Sequence, residues 1–280
     1  MTSAKAVAKL KHILLQKGYK INKIGHFGTL DPDGEGVLPI AIGRATRLFD
    51  IAPDKEKIYY TEFVFGKTTD TLDEGGTVTE TCGKSTTEEE ISAAIPSLTG
   101  KIRQLPPLYS AKSVDGRRAY ELARAGEKFE LKEKEVEIYS IDFLGKAGDA
   151  FAFRVRCSVG TYIRSLARDM AAEVGTLGYM RYIRREKSGF FRLETAKTLE
   201  EFSSLMNLDG EFVDMDDVLS GLPEYSLNDN REGARLILNG VPLKLAGLPD
   251  GLFRFKIDGK LQGVAEKDAD GAFKWAVRLI

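Results

Sequence analysis

Cysteine, histidine and long apolar runs are what this chain has least of, and each scarcity closes a class of chemistry. Only Cys82 and Cys157 occur among 280 residues, far apart and in unrelated contexts. Neither a disulfide framework nor a CxxC ligand pair is available, so two free thiols in a reducing compartment are expected. His12 and His26 are the only histidines, which argues against a site built from several imidazole ligands. No metal and no cofactor are therefore expected. No uninterrupted apolar run approaches the roughly 20 residues that cross a bilayer, and no basic-then-apolar leader opens the chain. The expectation is a cytoplasmic protein with no membrane partner. A net charge of -1 gives no global pull on nucleic acid, so any such partner must be held by local basic patches. A P-loop lysine motif and a dinucleotide-binding glycine fingerprint are also missing, and with them the usual signals of phosphoryl transfer and hydride chemistry.

What is present is enough to build a sizeable core, since 42% of the residues are hydrophobic and 30% are charged. From Ala4 to Gln16, Ala6, Val7, Leu10, Ile13 and Leu14 recur at helical spacing between lysines, which predicts an amphipathic helix with Thr2 or Ser3 as a possible cap. Gly25 to Gly43 is rich in glycine and proline, and Asp31-Pro32-Asp33-Gly34 has turn chemistry. Ile58 to Phe65 reads as a strand and Glu88 to Leu98 as a helix stopped by Gly100. Phe151, Phe153, Val155 and Cys157 alternate with Ala152, Arg154, Arg156 and Ser158, the period of a half-buried strand. Tyr162 to Val174 then turns helical and ends at Gly175. Beyond about Leu222 the pattern changes to short apolar stretches at Leu236–Leu238, Leu252–Ile257 and Phe273–Leu279, separated by turn residues. Two domains are expected, residues 1–220 and a compact β-rich tail of residues 221–280.

Three clusters carry chemistry. The first runs from Gly25-His26-Phe27-Gly28-Thr29-Leu30-Asp31-Pro32 through Gly36-Val37-Leu38-Pro39 to Gly43-Arg44-Ala45-Thr46. Its glycines allow close backbone approach, and Asp31 sits before a proline in a restricted conformation. The second is Lys57-Ile58-Tyr59-Tyr60 followed by Gly66-Lys67-Thr68-Thr69-Asp70-Thr71-Leu72-Asp73. The third is Gly160-Thr161-Tyr162-Ile163-Arg164 at a strand-to-helix junction, where an arginine could hold a buried carboxylate by a bidentate pair. By composition alone these are a turn aspartate, a core aromatic and a solvated helix arginine.

Their order resembles the signature of the tRNA pseudouridine-55 synthases, the TruB family, in which GH-x-GTLDP, GVLP, G-x-AT, K-x-Y, G-x-x-TDT-x-D and GTYIR follow one another. The resemblance implies an α/β (α+β) fold, with a mixed, mainly antiparallel sheet flanked by helices and a small β-rich C-terminal domain that binds RNA. It implies that Asp31 is the nucleophile or glycal-forming base, that Arg164 pairs with it, and that Tyr59 stacks on the flipped base. Tyr60 is the neighbouring alternative, and the lysine spacing favours Tyr59. It places His26 where the target base is displaced from its stack, and Tyr162 in the same pocket. Thr29, Asp70, Lys112 and Arg184 complete the expected substrate contacts, with Asp70 and Asp73 organising a loop or touching RNA. Further matches are P-x-YSA-x-K at Pro107–Lys112 and G-x-x-x-Y-x-x-AR-x-G at Gly116–Gly126.

The implied reaction isomerises a uridine in the T-loop of tRNA. The N1 to C1' bond breaks, the uracil turns, and C5 takes the place of N1. An arginine beside Asp31 favours its ionised form, as such a role requires. Basic residues from Arg154 to Arg192, and a second group from Lys101 to Arg124, would hold the RNA. The T-arm of tRNA is the expected partner, and a monomer the expected state. The rivals are a non-catalytic tRNA-binding or tRNA-folding protein, and a carboxylate-based nucleoside or glycoside hydrolase with Asp33 or Glu35 as its second acid. The family pattern begins with a strand and a KP-x-G-x-TS loop, whereas this chain opens at Met1-Thr2-Ser3, as though from a misassigned start or a truncation. Phe27 also stands where a small residue is usual, and Asp33-Gly34-Glu35 and Glu186 add negative charge.

Overall fold

The computed structural model describes residues 1–241 and 243–280. They form two compact units, each assembled from separated stretches of chain. One comprises Met1–Thr2, Leu30–Val37 and Lys55–Ala196; the other comprises Ser3–Thr29, Leu38–Asp54 and Lys197–Ile280.

The first unit is built on a seven-stranded sheet ordered Phe191–Arg192, Gly178–Ser188, Lys57–Phe65, Ala150–Cys157, Lys134–Ala147 and Gly100–Gln104, with Glu35–Gly36 added to Gly178–Ser188. Glu35–Gly36 runs parallel to its neighbour and every other pairing is antiparallel. Period-two alternation sorts the side chains. Phe153, Val155 and Cys157 are buried while Arg154 and Arg156 face out. Phe63 and Phe153, both fully buried with centroids 4.9 Å apart, each stabilise the fold by about 2 kcal/mol. The helix Ile163–Glu173 covers this face with Leu166, Ala167 and Met170. It approaches so closely that a Cβ on Gly178 would lie 2.7 Å from the Ala171 Cβ and 3.2 Å from the Ala167 carbonyl oxygen.

The helix expected over Glu88–Leu98 is shorter, Glu88–Ala94, and is followed by a 3-10 turn at Pro96–Leu98. Pro96 has no N–H to donate, so the α-helical ladder cannot continue through it. At its start Thr87 and Glu90 form a reciprocal capping box. The long strand Lys134–Ala147 lies in a segment to which sequence periodicity assigned no element.

In the second unit, the helix Ser3–Gln16 buries Leu10 and Leu14 in a cluster with Leu208, Leu199 and Phe202. Ile24–His26 pairs with Ile40–Ile42, and a 3-10 helix follows at Gly43–Leu48. The tail forms a four-stranded sheet of Glu224–Leu227, Phe253–Ile257, Lys260–Lys267 and Phe273–Arg278, in that order. Its core gathers Phe253, Phe255, Phe273 and Trp275. Leu236–Leu238, read from sequence as one of the short apolar stretches of a β-rich region, instead ends the helix Arg231–Leu238. Asn230 Oδ1 caps that helix by accepting from the Gly233 N–H over 2.8 Å, and Ala234 and Ile237 supply its buried face at i and i+3.

Candidate active site: one arginine between two aspartates

Arg164 reaches its place through local backbone chemistry. The strand Ala150–Cys157 ends, Gly160 turns the chain at φ +86°, and Tyr162 stands at the helix N-cap. Tyr162 has no capping side chain. Its backbone N–H donates instead to Gln104 Oε1 over 2.8 Å, which ties the helix start to the Gly100–Gln104 strand. Arg164 is then the second helical residue, and its side chain is only 8% exposed.

A guanidinium taken out of water needs its N–H groups satisfied. Nη2 donates to Asp31 Oδ1 at 2.9 Å and to the Tyr109 carbonyl at 3.1 Å. Nη1 donates to the Thr71 carbonyl at 3.0 Å and lies 3.2 Å from Asp73 Oδ2. The sequence reading allowed a bidentate clamp on one carboxylate. The fork is instead divided between two carboxylates and two backbone carbonyls.

The Asp31 loop is a turn with both ends fixed. The Gly34 N–H donates to the Asp31 carbonyl at 2.9 Å, with Pro32 at the position its ring favours. Six residues after the aspartate, the Val37 N–H donates to the Arg185 carbonyl, and Gly36 sits beside Arg185 in parallel register. A Cβ on Gly36 would fall 2.2 Å from that carbonyl oxygen, and its φ is +99°. The carboxylate end stays accessible, with 32% of the Asp31 side chain exposed.

Asp73 is the second carboxylate at this arginine, a residue the sequence reading assigned to organising a loop or touching RNA. Thr71 Oγ1 donates to its Oδ1 at 2.5 Å, and burial pushes its carboxyl above the ordinary value, reinforced by the charge of Asp31 and opposed by Thr71 and Arg164. The TDT-x-D spacing was the available signal. Asp70, three residues earlier, is exposed and accepts the Thr77 N–H at 2.8 Å, closing the same loop.

Tyr59 lies in the buried cluster with Ile183, Ile163 and Cys157 and is 9% exposed. Burial pushes its hydroxyl up to about 12. Tyr60, on the opposite face, is bonded through its hydroxyl to Glu62 Oε1 and stacked under Arg184 at 5.3 Å. Arg184 pairs with Glu186 at 3.0 Å and stands across from Tyr60 in register, so strand parity separates it from Tyr59. Lys112 donates to the Lys132 carbonyl at 2.8 Å. His26 and Thr29 belong to the second unit, where His26 pairs with Ile40 and Thr29 is exposed. Within the first unit, therefore, Asp31, Arg164 and Asp73 are brought together directly. Tyr59 is on the adjoining buried face.

Acids meet the basic residues of the 154–192 segment, Glu56 and Glu62 from outside it and Glu186 from within it. Glu56 pairs with Arg156 at 2.7 Å and with Lys187 at 2.6 Å, Glu62 pairs with Arg181 at 2.8 Å, and Glu186 joins Arg154 at 2.9 Å.

Residues 16–163 match the family described as TruB family pseudouridylate synthase, N-terminal domain. The tRNA pseudouridine synthase B of Clostridium kluyveri is 39% identical over 264 residues, covering 92% of this chain and 89% of that one. The protein of the same name from Streptococcus pneumoniae serotype 2 is 46% identical over 211 residues, covering 72% and 70%. Among solved structures, that of a Cbf5-Nop10-Gar1 complex aligns with a TM-score of 0.71 at 24% identity over all of this chain and 82% of its counterpart. At that identity it speaks for the fold alone.

Proposed function

The chain belongs to the TruB family of pseudouridylate synthases, isomerases that turn uridine into pseudouridine in tRNA, and on that premise we propose that it acts on the T-loop uridine at position 55 with Asp31 as the catalytic carboxylate. The observation that carries this is the 2.9 Å pair between Arg164 and a partly exposed Asp31. A carboxylate held in place by a buried guanidinium is already oriented and needs no reorganisation before it acts. Asp31 either attacks the sugar or removes a proton from it as the N1 to C1' bond breaks. The detached uracil is retained, rotated and rejoined through C5, which then loses its proton.

A uridine in a folded loop must leave its stack first, at roughly a few kcal/mol, and stacking on an aromatic ring offsets that cost. Tyr59 supplies the ring and Tyr162 a further wall. His26 and Thr29 contact the RNA, Asp70 holds its loop in shape, and Lys112 contacts phosphate. Residues 221–280 act as an RNA-binding domain, while residues 1–220 carry the chemistry on the T-arm. The protein works as a cytoplasmic monomer. None of its helices, among the described residues, is long and apolar enough to cross a membrane.

The test is tritium release from C5-labelled uridine in an unmodified tRNA transcript. Release by the wild-type chain and none by Asp31→Asn, with tRNA binding retained, is the expected result. Binding without release by either chain would favour a non-catalytic tRNA-binding role, and free uracil would favour a hydrolase.

A further inference from the structure

Among the described residues Arg185 is the largest fully buried side chain, at 1% exposure. A guanidinium is rarely taken so far from water unless its hydrogen bonds do something specific. Its Nε donates to the Val37 carbonyl at 2.8 Å, while its own backbone carbonyl accepts the Val37 N–H at 2.9 Å. Residue 37 closes the loop that begins at Asp31, so Arg185 fixes that loop through side chain and backbone together. On the other flank Arg185 stands directly opposite Tyr59 in the antiparallel register of Gly178–Ser188 with Lys57–Phe65. Directly opposed residues share a face, which sets the guanidinium beside Tyr59, where its charge opposes the rise that burial gives the Tyr59 hydroxyl.

We infer that Arg185 is a positioning residue that sets the Tyr59 hydroxyl and the Asp31 loop in one fixed relation. This rests on the reading of Asp31 and Tyr59 given above. A guanidinium has only donors to offer, so toward Arg185 the phenol oxygen can act only as an acceptor, and its own proton must point elsewhere. Arginine is required for the double task because its planar fork presents N–H groups in two directions at once. A lysine ammonium keeps the charge but not the fork. The role is also distinct from that of Arg184, one residue earlier, which lies on the other face with Tyr60.

The test is a double-mutant cycle on Arg185→Lys and Tyr59→Phe, reading single-turnover tritium release and tRNA Kd separately, with thermal melting to check folding. Each single change should slow release by roughly tenfold or more at nearly unchanged Kd, and the double variant should be no slower than the slower single one. Losses that multiply in the double variant overturn the inference, as does an Arg185→Lys chain that binds tRNA more weakly but turns over at the wild-type rate. If Arg185→Lys fails to fold, Tyr59→Phe decides alone. A wild-type rate without the phenol oxygen leaves Arg185 nothing to position and overturns the inference, and a slowed rate supports it. No release by the wild-type chain would overturn the functional reading itself and this inference with it, whereas release with independent losses overturns only the role of Arg185.

Discussion

Arg164 Nη1 and Asp73 Oδ2 lie 3.2 Å apart, so the guanidinium that holds Asp31 is itself held by a second carboxylate. Asp73→Asn should leave the fold intact and slow the reaction by about tenfold or more, because Arg164 loses the anchor that aims it. Single-turnover kinetics read the loss. Burial raises the Asp73 carboxyl above its ordinary 3.8. Its contribution to stability is therefore complete below that pH and is lost as pH rises through the folded value. Melting curves of Asp73→Asn should lack the step that begins above pH 3.8.

Arg164→Lys keeps the charge but replaces a fork serving Asp31, Asp73, Thr71 and Tyr109 by a single ammonium. The expected loss in rate is on the order of 100-fold, about 3 kcal/mol of transition-state stabilisation. Measuring kcat and KM separately checks it: the loss should sit in kcat.

Gly36→Ala should be among the most damaging small substitutions in the chain. The added methyl would sit 2.2 Å from the Arg185 carbonyl oxygen, on a backbone at φ +99°. A destabilisation of at least about 2 kcal/mol is expected, visible as a lower Tm, together with lost activity as the Asp31 loop is displaced.

The hydrogen bond from Lys187, with Arg156 beside it, holds the Glu56 carboxyl below its ordinary 4.5. Stability from this group is present above pH 4.5 and is lost as pH falls through the folded value. Glu56→Gln should therefore melt lower at neutral pH and lose less of its stability on acidification than the wild-type chain. Equal slopes for the two chains below pH 4.5 would contradict the pairing.

Asp31 and Arg164 were legible because motif order named them when composition could not. The central strands Lys57–Phe65 and Ala150–Cys157 were legible because one face is apolar and the other charged. Asp73 was hidden by its loop, where threonine and aspartate read as turn chemistry. Its link to Arg164 is a contact across most of the first unit, and no local periodicity reports such contacts. Arg185 was hidden for a different reason. In Arg184-Arg185-Glu186-Lys187 both faces of the strand carry charge, so alternation vanishes and the buried member looks like its neighbours. The helix at Leu236–Leu238 was missed because three apolar residues fit either period; its Asn230 cap was the better signal.

The paired charges on the outward face of the central sheet bear on how firmly salt controls the complex with RNA. Binding a phosphate normally sets free a condensed cation, and affinity falls with salt in proportion to the phosphates neutralised, at about 0.7 to 0.9 of a logarithmic unit per phosphate. Arg154, Arg156, Arg181, Arg184 and Lys187 are each already engaged by Glu56, Glu62 or Glu186. A phosphate arriving there would free a carboxylate that recruits a cation of its own, cancelling much of the release. The count of arginines on this strand group thus overstates its grip on RNA, and titrating the tRNA complex against salt would return a shallower slope than that count suggests.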